Sequence, residues 1–453
     1  MQKIVDEYLT KSGKSAIEFS TFSQEMVDNI VKAVARVGME HSEEFAKMAV
    51  EETGMGKWED KVAKNLLATE YIYEDIKDLK TVGVISNDKE RQIMEIAHPL
   101  GSILAIIPVT NPTSTLMFKI LIALKTRNSI ILSLPVRAKG VCSYVAEWLY
   151  MVALESGAPK NVIQWVSTPN REMTRLIMKD ERLALILATG GKGLVNAAYS
   201  SGTPALGVGP GNVPVFIEES SDIDFAIEQI MISKTFDNGT ICASEQAIIV
   251  EKKNMKETLE ALKKYNAYLV PKEELSKLEN IVYDKKRKNM SGAIVGKSAK
   301  YIAKLAGLNA PKNVSLLVAK QEGIGEEFPL SSEILAPVIA LYEAKNYSHA
   351  LQICSRINLY GGKGHTASIF SNNEERITEY SIRMNASRII VNTPSSQGAV
   401  GGLCNNLAPS LTLGCGSGGR TSTTDNISAK HLLNIQRIAR PVQRIRREVY
   451  AVS

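Results

Sequence analysis

A regular alternation of helix-like and strand-like segments in the first half of the chain constrains the fold more than any other feature. These segments read in turn as helix, strand, helix, strand, helix and strand, at residues 114–125, 129–133, 140–156, 162–166, 171–179 and 183–188. Repeated strand–helix units of this kind build a parallel sheet with helices on both faces. A second stretch of strands and helices runs from residue 214 to about 392. The sequence therefore predicts an α/β protein with two doubly wound domains and a cleft between them.

Two shorter stretches precede this alternation. Apolar residues recur at three- and four-residue spacing over residues 22–80, which indicates helices, and Gly54 and Gly56 predict a helix end. Residues 81–100 then read as a β-hairpin with a charged tip, followed by a buried strand that ends near Pro108. We expect this hairpin to project from the first domain.

Charge and cysteine content exclude several classes of function. The 453 residues include 54 Lys and Arg against 48 Asp and Glu, and the net charge of +6 is too small to indicate nucleic-acid binding. The five cysteines form no C-x-x-C pair, which indicates reduced thiols in the cytoplasm and no metal site. No apolar run is long enough to span a membrane, and the N-terminus lacks the apolar stretch of a signal peptide. A solvated tail is predicted from the C-terminal arginines, namely Arg437, Arg440, Arg444, Arg446 and Arg447.

Two glycine-rich loops are candidates for ligand binding. ATGGKG places Gly190, Gly191 and Gly193 between a predicted strand and a predicted helix. Backbone N–H groups at such a helix N-terminus can bind phosphate, but the motif is not the G-x-G-x-x-G fingerprint. Dinucleotide binding and a tight turn are therefore equal alternatives. The second loop, GVGPGN at 207–212, precedes an apolar strand and is more typical of a structural turn.

Cys242 is the sharpest candidate for chemistry. In FDNGTICASEQAIIV it follows the turn residues DNG and precedes small residues and a buried-strand pattern. A thiol in a loop of small residues is accessible, and we expect neighbouring backbone N–H groups to lower its pKa into the nucleophilic range. The alternative is a buried hydrophobic residue, which is the commoner role of a lone cysteine.

An ordered series of motifs favours the nucleophile. The chain carries ETGMG, EDKVAKN, TNPTST, ALKTRN, ATGGKG, AAYSSG, GVGPGN, KTFDNGTICASEQ, GHTAS, NTPSSQG, LAPSLTLGCGS and KHLLNI. With these motifs it resembles the aldehyde dehydrogenase superfamily nearly end to end, and within it the CoA-acylating branch typified by the N-terminal half of bifunctional aldehyde-alcohol dehydrogenases. The resemblance implies an oxidoreductase that converts an aldehyde, coenzyme A and NAD⁺ into acyl-CoA and NADH through a thioacyl-Cys242 intermediate. It leaves NADP⁺ open, because in SLPVRAK at 133–139 neither the histidine nor the ribose-binding lysine of relatives stands at its expected place.

The resemblance also implies roles for individual residues. Cys242 matches the nucleophile, and Asn111 in TNPTS matches the side chain that holds the developing oxyanion. The implied cofactor-binding residues are Thr189, Gly190, Gly191, Glu333, Ser133 and Gly209. For His365 in GHTAS, a place near the substrate and a structural role have equal weight. Gly418 stands where relatives have a tryptophan, so we expect a different substrate-pocket wall there. The expected aldehyde is short, such as acetaldehyde, with succinate semialdehyde and sulfoacetaldehyde as alternatives.

One replacement bears on the acyl acceptor. Hydrolytic members of the family carry a glutamate, which activates water, at the position that is Val208 here. Valine cannot act as a general base, whereas a thiol acceptor needs one much less than water does. The sequence therefore favours coenzyme A over water, and a hydrolytic aldehyde dehydrogenase is the alternative function.

The resemblance finally implies a division of the chain. We expect a dinucleotide-binding domain at 1–235 with the projecting hairpin at 81–100, a catalytic domain at 236–426 and an oligomerisation segment at 427–453. In the family the hairpin and the C-terminal segment pair across subunits to continue a sheet. A homodimer or a dimer of dimers is therefore expected.

Overall fold

The computed structural model of the chain describes residues 1–168 and 170–442, with Lys192 described through its backbone alone. Three of the arginines predicted to form a solvated tail, Arg444, Arg446 and Arg447, lie outside the described residues. Arg437 and Arg440 are exposed, but Arg437 lies in a β-strand and not in a tail. Within the part of the chain that the structure describes, no helix is long and apolar enough to cross a bilayer.

The α-helices confirm the predicted alternation. They are α1 (Gln2–Ser20), α2 (Gln24–Glu40), α3 (Ser42–Thr53), α4 (Trp58–Leu66), α5 (Ile72–Ile76), α6 (Pro112–Lys125), α7 (Lys139–Glu155), α8 (Arg171–Met178), α9 (Lys192–Tyr199), α10 (Ile223–Thr235), α11 (Met255–Lys264), α12 (Lys272–Val282), α13 (Ala299–Ala306), α14 (Tyr347–Gly361), α15 (Glu374–Arg383) and α16 (Ser395–Val400). The predicted helices at 114–125, 140–156 and 171–179 correspond to α6, α7 and α8 to within two residues. Gly54 ends α3 in the left-handed conformation, as expected for a C-terminal glycine.

Among the described residues, the β-strands fall into four sheets. They are β1 (Gly83–Asp88), β2 (Ile93–Pro99), β3 (Ser102–Ile106), β4 (Ser129–Ser133), β5 (Ile163–Trp165), β6 (Leu183–Thr189), β7 (Ala205–Val208), β8 (Val213–Ile217), β9 (Glu245–Glu251), β10 (Ala267–Leu269), β11 (Tyr283–Asp284), β12 (Asn289–Met290), β13 (Leu316–Lys320), β14 (Val338–Ala344), β15 (Gly364–Phe370), β16 (Ala386–Val391) and β17 (Leu433–Ala439). The β11 and β12 strands form a small antiparallel pair of their own.

The first parallel sheet has five strands in the order β5-β4-β3-β6-β7. Every residue of β3 and β4 is buried, because helices cover both faces, and α6 is itself buried along its whole length. The chain order reverses between β3 and β6. In open sheets of this kind a ligand binds outside the carboxyl ends of the strands at the point of reversal.

The second parallel sheet has seven strands in the order β10-β13-β14-β9-β8-β15-β16. The two parallel sheets confirm the predicted α/β fold. The chain passes from the first sheet to the second between Val208 and Val213, earlier than the boundary expected at residue 235.

The predicted hairpin is present as β1 and β2. The C-terminal strand β17 pairs antiparallel with β2 of the same chain, from Leu433 opposite Pro99 to Ala439 opposite Ile93. The resemblance had implied pairing of these segments across subunits, whereas the structure joins them within one chain. Among the described residues, β17 occupies an edge of this three-stranded sheet.

Candidate active site

A cavity of about 860 Å³ opens at the carboxyl edge of the first sheet. Its lining includes the last residue of four strands, namely Ile106 of β3, Ser133 of β4, Thr189 of β6 and Val208 of β7. This is the place where the reversal of strand order predicts a ligand. The second domain supplies the opposite wall, since Cys242 and Glu333 line the same cavity.

The second sheet contributes the amino ends of three neighbouring strands. Cys242 precedes β9, Gly211 precedes β8 and His365 lies at the start of β15, and these strands are adjacent in the order β9-β8-β15. Gly211 allows the close approach, because a Cβ atom there would lie 2.0 Å from the carbonyl oxygen of Cys242. The loop GVGPGN therefore acts as a tight structural turn that carries the chain past the cysteine.

The sulfur of Cys242 is protonated at rest. Burial, together with the charge of Glu333, raises the pKa of Cys242 to about 12, while a hydrogen bond from its own backbone N–H acts in the opposite direction. The expectation that neighbouring backbone N–H groups lower this pKa into the nucleophilic range is therefore wrong. Nucleophilic attack from Cys242 requires a proton acceptor beside the sulfur.

The side chain of His365 lies beside the sulfur. Its side chain is buried, with Nε2 3.3 Å from Cys242 Sγ and Nδ1 2.9 Å from Thr366 Oγ1. Burial, with a contribution from the charge of Arg388, lowers the pKa of His365 to about 3, so the imidazole is neutral near pH 7. His365 is therefore a buried, hydrogen-bonded residue whose Nε2 faces the thiol, and its place near the substrate stays a prediction.

Asn111 lines the cavity at the start of α6. Its Nδ2 makes two long contacts, 3.3 Å to Thr110 Oγ1 and 3.4 Å to the carbonyl oxygen of Thr240, two residues before the cysteine. Its Oδ1 accepts a hydrogen bond of 2.7 Å from Lys64 Nζ. Burial lowers the pKa of Lys64 to about 8 although Asp237 opposes this shift. The amide N–H₂ group is therefore directed toward the Thr240 carbonyl oxygen and makes only weak hydrogen bonds.

The cofactor candidates also lie along the cavity. Ser133, Thr189, Gly190, Gly191, Gly209 and Glu333 all line it. Gly191 caps the N-terminus of α9, and a Cβ atom there would meet nothing within 4 Å. Open space at a helix N-terminus suits a phosphate group, and the Glu333 carboxylate suits ribose hydroxyls. The cavity therefore fits a nicotinamide dinucleotide, which would extend from the first sheet toward Cys242.

The carboxylate of Glu333 is hydrogen-bonded to the second glycine loop. Its Oε1 accepts a hydrogen bond of 2.8 Å from the Gly211 backbone N–H, and burial raises its pKa to about 7. Among the described residues that line the cavity, Glu333 is the one carboxylate, and Val208 is buried at the position where a water-activating acid would stand.

Gly418 lies elsewhere. It belongs to a short 3₁₀ turn, Ser417–Gly419, and a Cβ atom on it would lie 2.4 Å from Asn385 Oδ1. It is not among the described residues that line the cavity, and neither is the ring of His365, which lies behind the sulfur. The space beside Gly418 is occupied by Asn385, so the glycine does not enlarge this cavity.

Several residues of the site were missed by sequence reasoning. Lys64 sits in EDKVAKN, where its alternation with acids reads as a solvated helix face, yet it is buried against Asn111. Arg171 and Arg175 line the cavity from α8, next to Arg137 in the turn after β4. Their spacing of four places both on one helix face, which was the available signal.

Comparisons with known proteins agree with this geometry. The model of the aldehyde dehydrogenase family matches residues 2–403. The chain is 45% identical over 441 residues to an aldehyde-alcohol dehydrogenase of Clostridium acetobutylicum, which covers 96% of this chain and 51% of that protein, so the chain spans about half the length of that relative. It is 39% identical to a succinate-semialdehyde dehydrogenase (acetylating) of Clostridium kluyveri, covering 96% and 95% of the two chains. The crystal structure of an acetylating aldehyde dehydrogenase from Geobacillus thermoglucosidasius superposes with a TM-score of 0.95 at 42% identity, covering 98% of each chain.

Proposed function

Because the chain belongs to the aldehyde dehydrogenase family, we propose that it oxidises an aldehyde on Cys242 and passes the acyl group to coenzyme A. The observation that carries the proposal is the arrangement around the sulfur. Cys242 faces a dinucleotide-sized cavity, a neutral histidine nitrogen lies 3.3 Å behind it, and valine stands where hydrolysis needs an acid. The relatives named as acetylating enzymes support the same reaction.

Attack on the aldehyde is coupled to a proton transfer. The Cys242 Sγ–H proton moves to His365 Nε2 in the same step in which the sulfur bonds to the carbonyl carbon, because a base with a pKa of about 3 cannot deprotonate a thiol with a pKa of about 12 beforehand. The C=O electron pair moves to the oxygen, which accepts hydrogen bonds from Asn111 Nδ2 and the Cys242 backbone N–H. Donors placed where charge develops are each worth roughly 3 kcal/mol of transition-state stabilisation. The product is a thiohemiacetal on Cys242.

The cofactor would be held by Ser133, Thr189, Gly190, Gly191, Gly209 and Glu333. When bound, the nicotinamide supplies the hydride acceptor that converts the thiohemiacetal on Cys242 into a thioester. His365 releases its proton to solvent at this stage, which its low pKa favours. The acyl group stays on Cys242 because Glu333 is hydrogen-bonded to Gly211 and Val208 offers no base to recruit water.

Coenzyme A then takes the acyl group. Its thiolate attacks the thioester carbon, and the Cys242 sulfur leaves as a thiolate that is then protonated from solvent. A thiol with a pKa near 8.5 provides a few per cent of thiolate at neutral pH, whereas water provides almost no hydroxide. One thioester replaces another, so the reaction is reversible and should show ping-pong kinetics.

NAD⁺ is the cofactor we propose, with NADP⁺ as the second candidate. A specific observation favours the second, since Arg137, Arg171 and Arg175 border the cavity beside Ser133 and guanidinium groups suit a 2′-phosphate. Comparing kcat/KM for the two cofactors decides between them. An NADP⁺ preference that falls tenfold or more in Arg171→Ala would assign the phosphate to this helix.

A short-chain aldehyde such as acetaldehyde is the proposed substrate, with succinate semialdehyde or sulfoacetaldehyde as alternatives. A homodimer or dimer of dimers is proposed, since β17 is an edge strand within the described residues. A reducing cytoplasmic location is supported by the five cysteines, which are all free thiols.

The test is NADH formation from a panel of C2 to C5 and anionic aldehydes, with and without coenzyme A. We expect turnover to require coenzyme A and to be lost in Cys242→Ala. Cys404→Ala removes an exposed thiol outside the cavity and serves as the matched control. Equal turnover without coenzyme A, with the free acid as product, would establish the hydrolytic alternative.

A further inference from the structure

Two buried lysines share one carboxylate next to Asn111. Lys61 and Lys64, one turn apart on α4, are 2% and 3% exposed, and both reach Asp237 Oδ2, at 2.9 Å and 2.5 Å. Asp237 is itself fully buried. Buried ammonium groups are costly unless they are paired and hydrogen-bonded, so this cluster is a feature that the fold maintains at a cost.

The backbone at Asp237 is strained in a way that fixes its carboxylate. Asp237 and Asn238 have φ of 47° and 52°, the left-handed region that residues other than glycine seldom adopt. The Asp237 backbone N–H donates to Asp60 Oδ2 at 2.7 Å, and its Oδ1 accepts from the Lys57 backbone N–H at 2.8 Å. A Cβ atom on Gly56 would lie 1.9 Å from Oδ1, so glycine is required there. Backbone strain that several surrounding contacts hold in place is found mainly at functional sites.

Lys64 alone connects this cluster to the reacting groups. Its Nζ donates to Asn111 Oδ1 at 2.7 Å and to Thr240 Oγ1 at 2.8 Å, while Lys61 Nζ reaches the Thr110 carbonyl oxygen at 2.9 Å. An ammonium group has three donors and no acceptor. It therefore accepts only one orientation of the Asn111 amide, with Oδ1 toward the lysine and the N–H₂ group toward the Thr240 carbonyl oxygen.

The opposite amide orientation would be harmful to the reaction. It would place Asn111 Oδ1, an acceptor with partial negative charge, toward the oxygen that becomes negative during attack. The long Nδ2 contacts of 3.3 Å and 3.4 Å are too weak to fix the orientation by themselves. The short, charge-assisted bond from Lys64 is the strongest interaction that the amide makes.

We propose that Lys64 is a positioning residue, which holds Asn111 with its N–H₂ group aimed at the developing oxyanion and is itself fixed by Asp237. The inference rests on the proposed function, because it assumes that the oxyanion forms on a substrate bound to Cys242. In this proposal the helix that contains EDKVAKN and the turn that contains DNG serve the same purpose, which is to orient the side-chain amide of Asn111.

The experiment measures the first turnover without coenzyme A, as the rate of NADH formation in rapid mixing. Losing an oxyanion donor costs about 10²- to 10³-fold, and Lys64→Met, which keeps the chain length, should slow this step by about 30- to 100-fold. The KM for the cofactor should change by less than about twofold, since Lys64 is not among the described residues that line the cavity. Lys125→Met removes another buried lysine, paired with Asp28, and should leave the step within about twofold of wild type.

A double-mutant cycle separates positioning from general support of the fold. If Lys64 acts through Asn111, then Lys64→Met in an Asn111→Ala background should change the rate by less than about threefold further. Lys64→Gln, which retains an N–H donor for Asn111 Oδ1, should recover at least about a third of the logarithmic loss and also provides a test if the Met variant does not fold.

The outcomes distinguish this inference from the proposed function. A Lys64→Met enzyme as fast as wild type, a Gln variant as slow as Met, or equal effects of Lys64→Met with and without Asn111 would each overturn the positioning role. Turnover that persists in Cys242→Ala would instead overturn the proposed function.

Discussion

Replacing His365 by alanine tests how Cys242 becomes a nucleophile. With a pKa of about 12, the Cys242 thiol is ionised to roughly one part in ten thousand at pH 8, a deficit of about 5 kcal/mol. A positioned general base recovers part of this cost, typically 10²- to 10⁴-fold in rate. Because the pKa of His365 lies far below the working pH, its contribution belongs at the low end of this range, and His365→Ala should slow the first turnover about 10²-fold at pH 8.

The pH dependence makes this prediction sharper. The pKa of His365 is lowered to about 3, so the wild-type base is unprotonated at any pH above about 4 and the thiol remains protonated below its raised pKa. The first-turnover rate of the wild type should thus be flat between pH 6 and 9 because neither group titrates in that range. In His365→Ala the attacking thiolate must come from ionisation, so the rate should rise about tenfold per pH unit.

Rapid-mixing measurement of NADH without coenzyme A, from pH 6 to 9, is the assay. His98→Ala, which removes an exposed histidine bonded to Gln436 in the hairpin sheet, is the matched control and should behave as wild type. A loss below about tenfold in His365→Ala, or a flat profile in that variant, would refute proton transfer to His365.

Three further changes test the water barrier, the tight turn and the C-terminal strand. Val208→Glu should produce free acid from the aldehyde in the absence of coenzyme A, detected by product analysis, and strictly coenzyme-dependent turnover in this variant would contradict the assigned role of the valine. Gly211→Ala should lower the free energy of unfolding by about 1–3 kcal/mol in denaturant titrations and abolish turnover, because its Cβ would overlap the Cys242 carbonyl. Truncation after Asn426 removes Leu433–Ala439, the partner of β2, and should yield monomeric or insoluble protein by size-exclusion chromatography, whereas a soluble, active dimer would contradict the proposed interface.

The local sequence predicted the first domain closely. The strand at 129–133 matches β4 at both ends, because every residue of that segment is apolar or small and buried on both faces. The N-terminal helix α1 was missed, because charged residues interrupt its apolar stripe, whose buried members include Val5, Leu9, Ala16 and Phe19. The hydrophobic pattern of the sequence thus identified strands and helices that are buried on every side better than those with a single buried face.

The site was predictable in its residue types and less so in its electrostatics. Cys242, Asn111 and Glu333 line one cavity as the family resemblance implied. The pKa of Cys242 was predicted to fall and instead rises, because burial depends on how tightly Gly211 packs against the cysteine, which the sequence does not reveal. The burial of Lys64 could not be predicted for a similar reason. It depends on contact with the strained turn at Asp237, which is far from Lys64 in the sequence.

The same separation in sequence limited the prediction of domains and assembly. The β8 strand follows β7 closely in the sequence, yet its hydrogen bonds are with β9 and β15 of the second sheet. The pairing of β17 with β2 inside one chain joins segments more than 300 residues apart, with Ile435 opposite Ala97. The local hydrophobic pattern does not determine which strands β8 and β17 pair with, because both pairings depend on how the folded domains pack.

Intact-protein mass spectrometry of the enzyme with acetaldehyde and NAD⁺ tests the acyl transfer most directly. Without coenzyme A, the chain should gain the mass of one acetyl group, located by peptide mapping at Cys242. Adding coenzyme A should remove that mass and release a stoichiometric amount of acetyl-CoA. Decay of the acetyl group to acetate at the same rate with and without coenzyme A, or its absence from Cys242, would contradict thioester exchange at this sulfur.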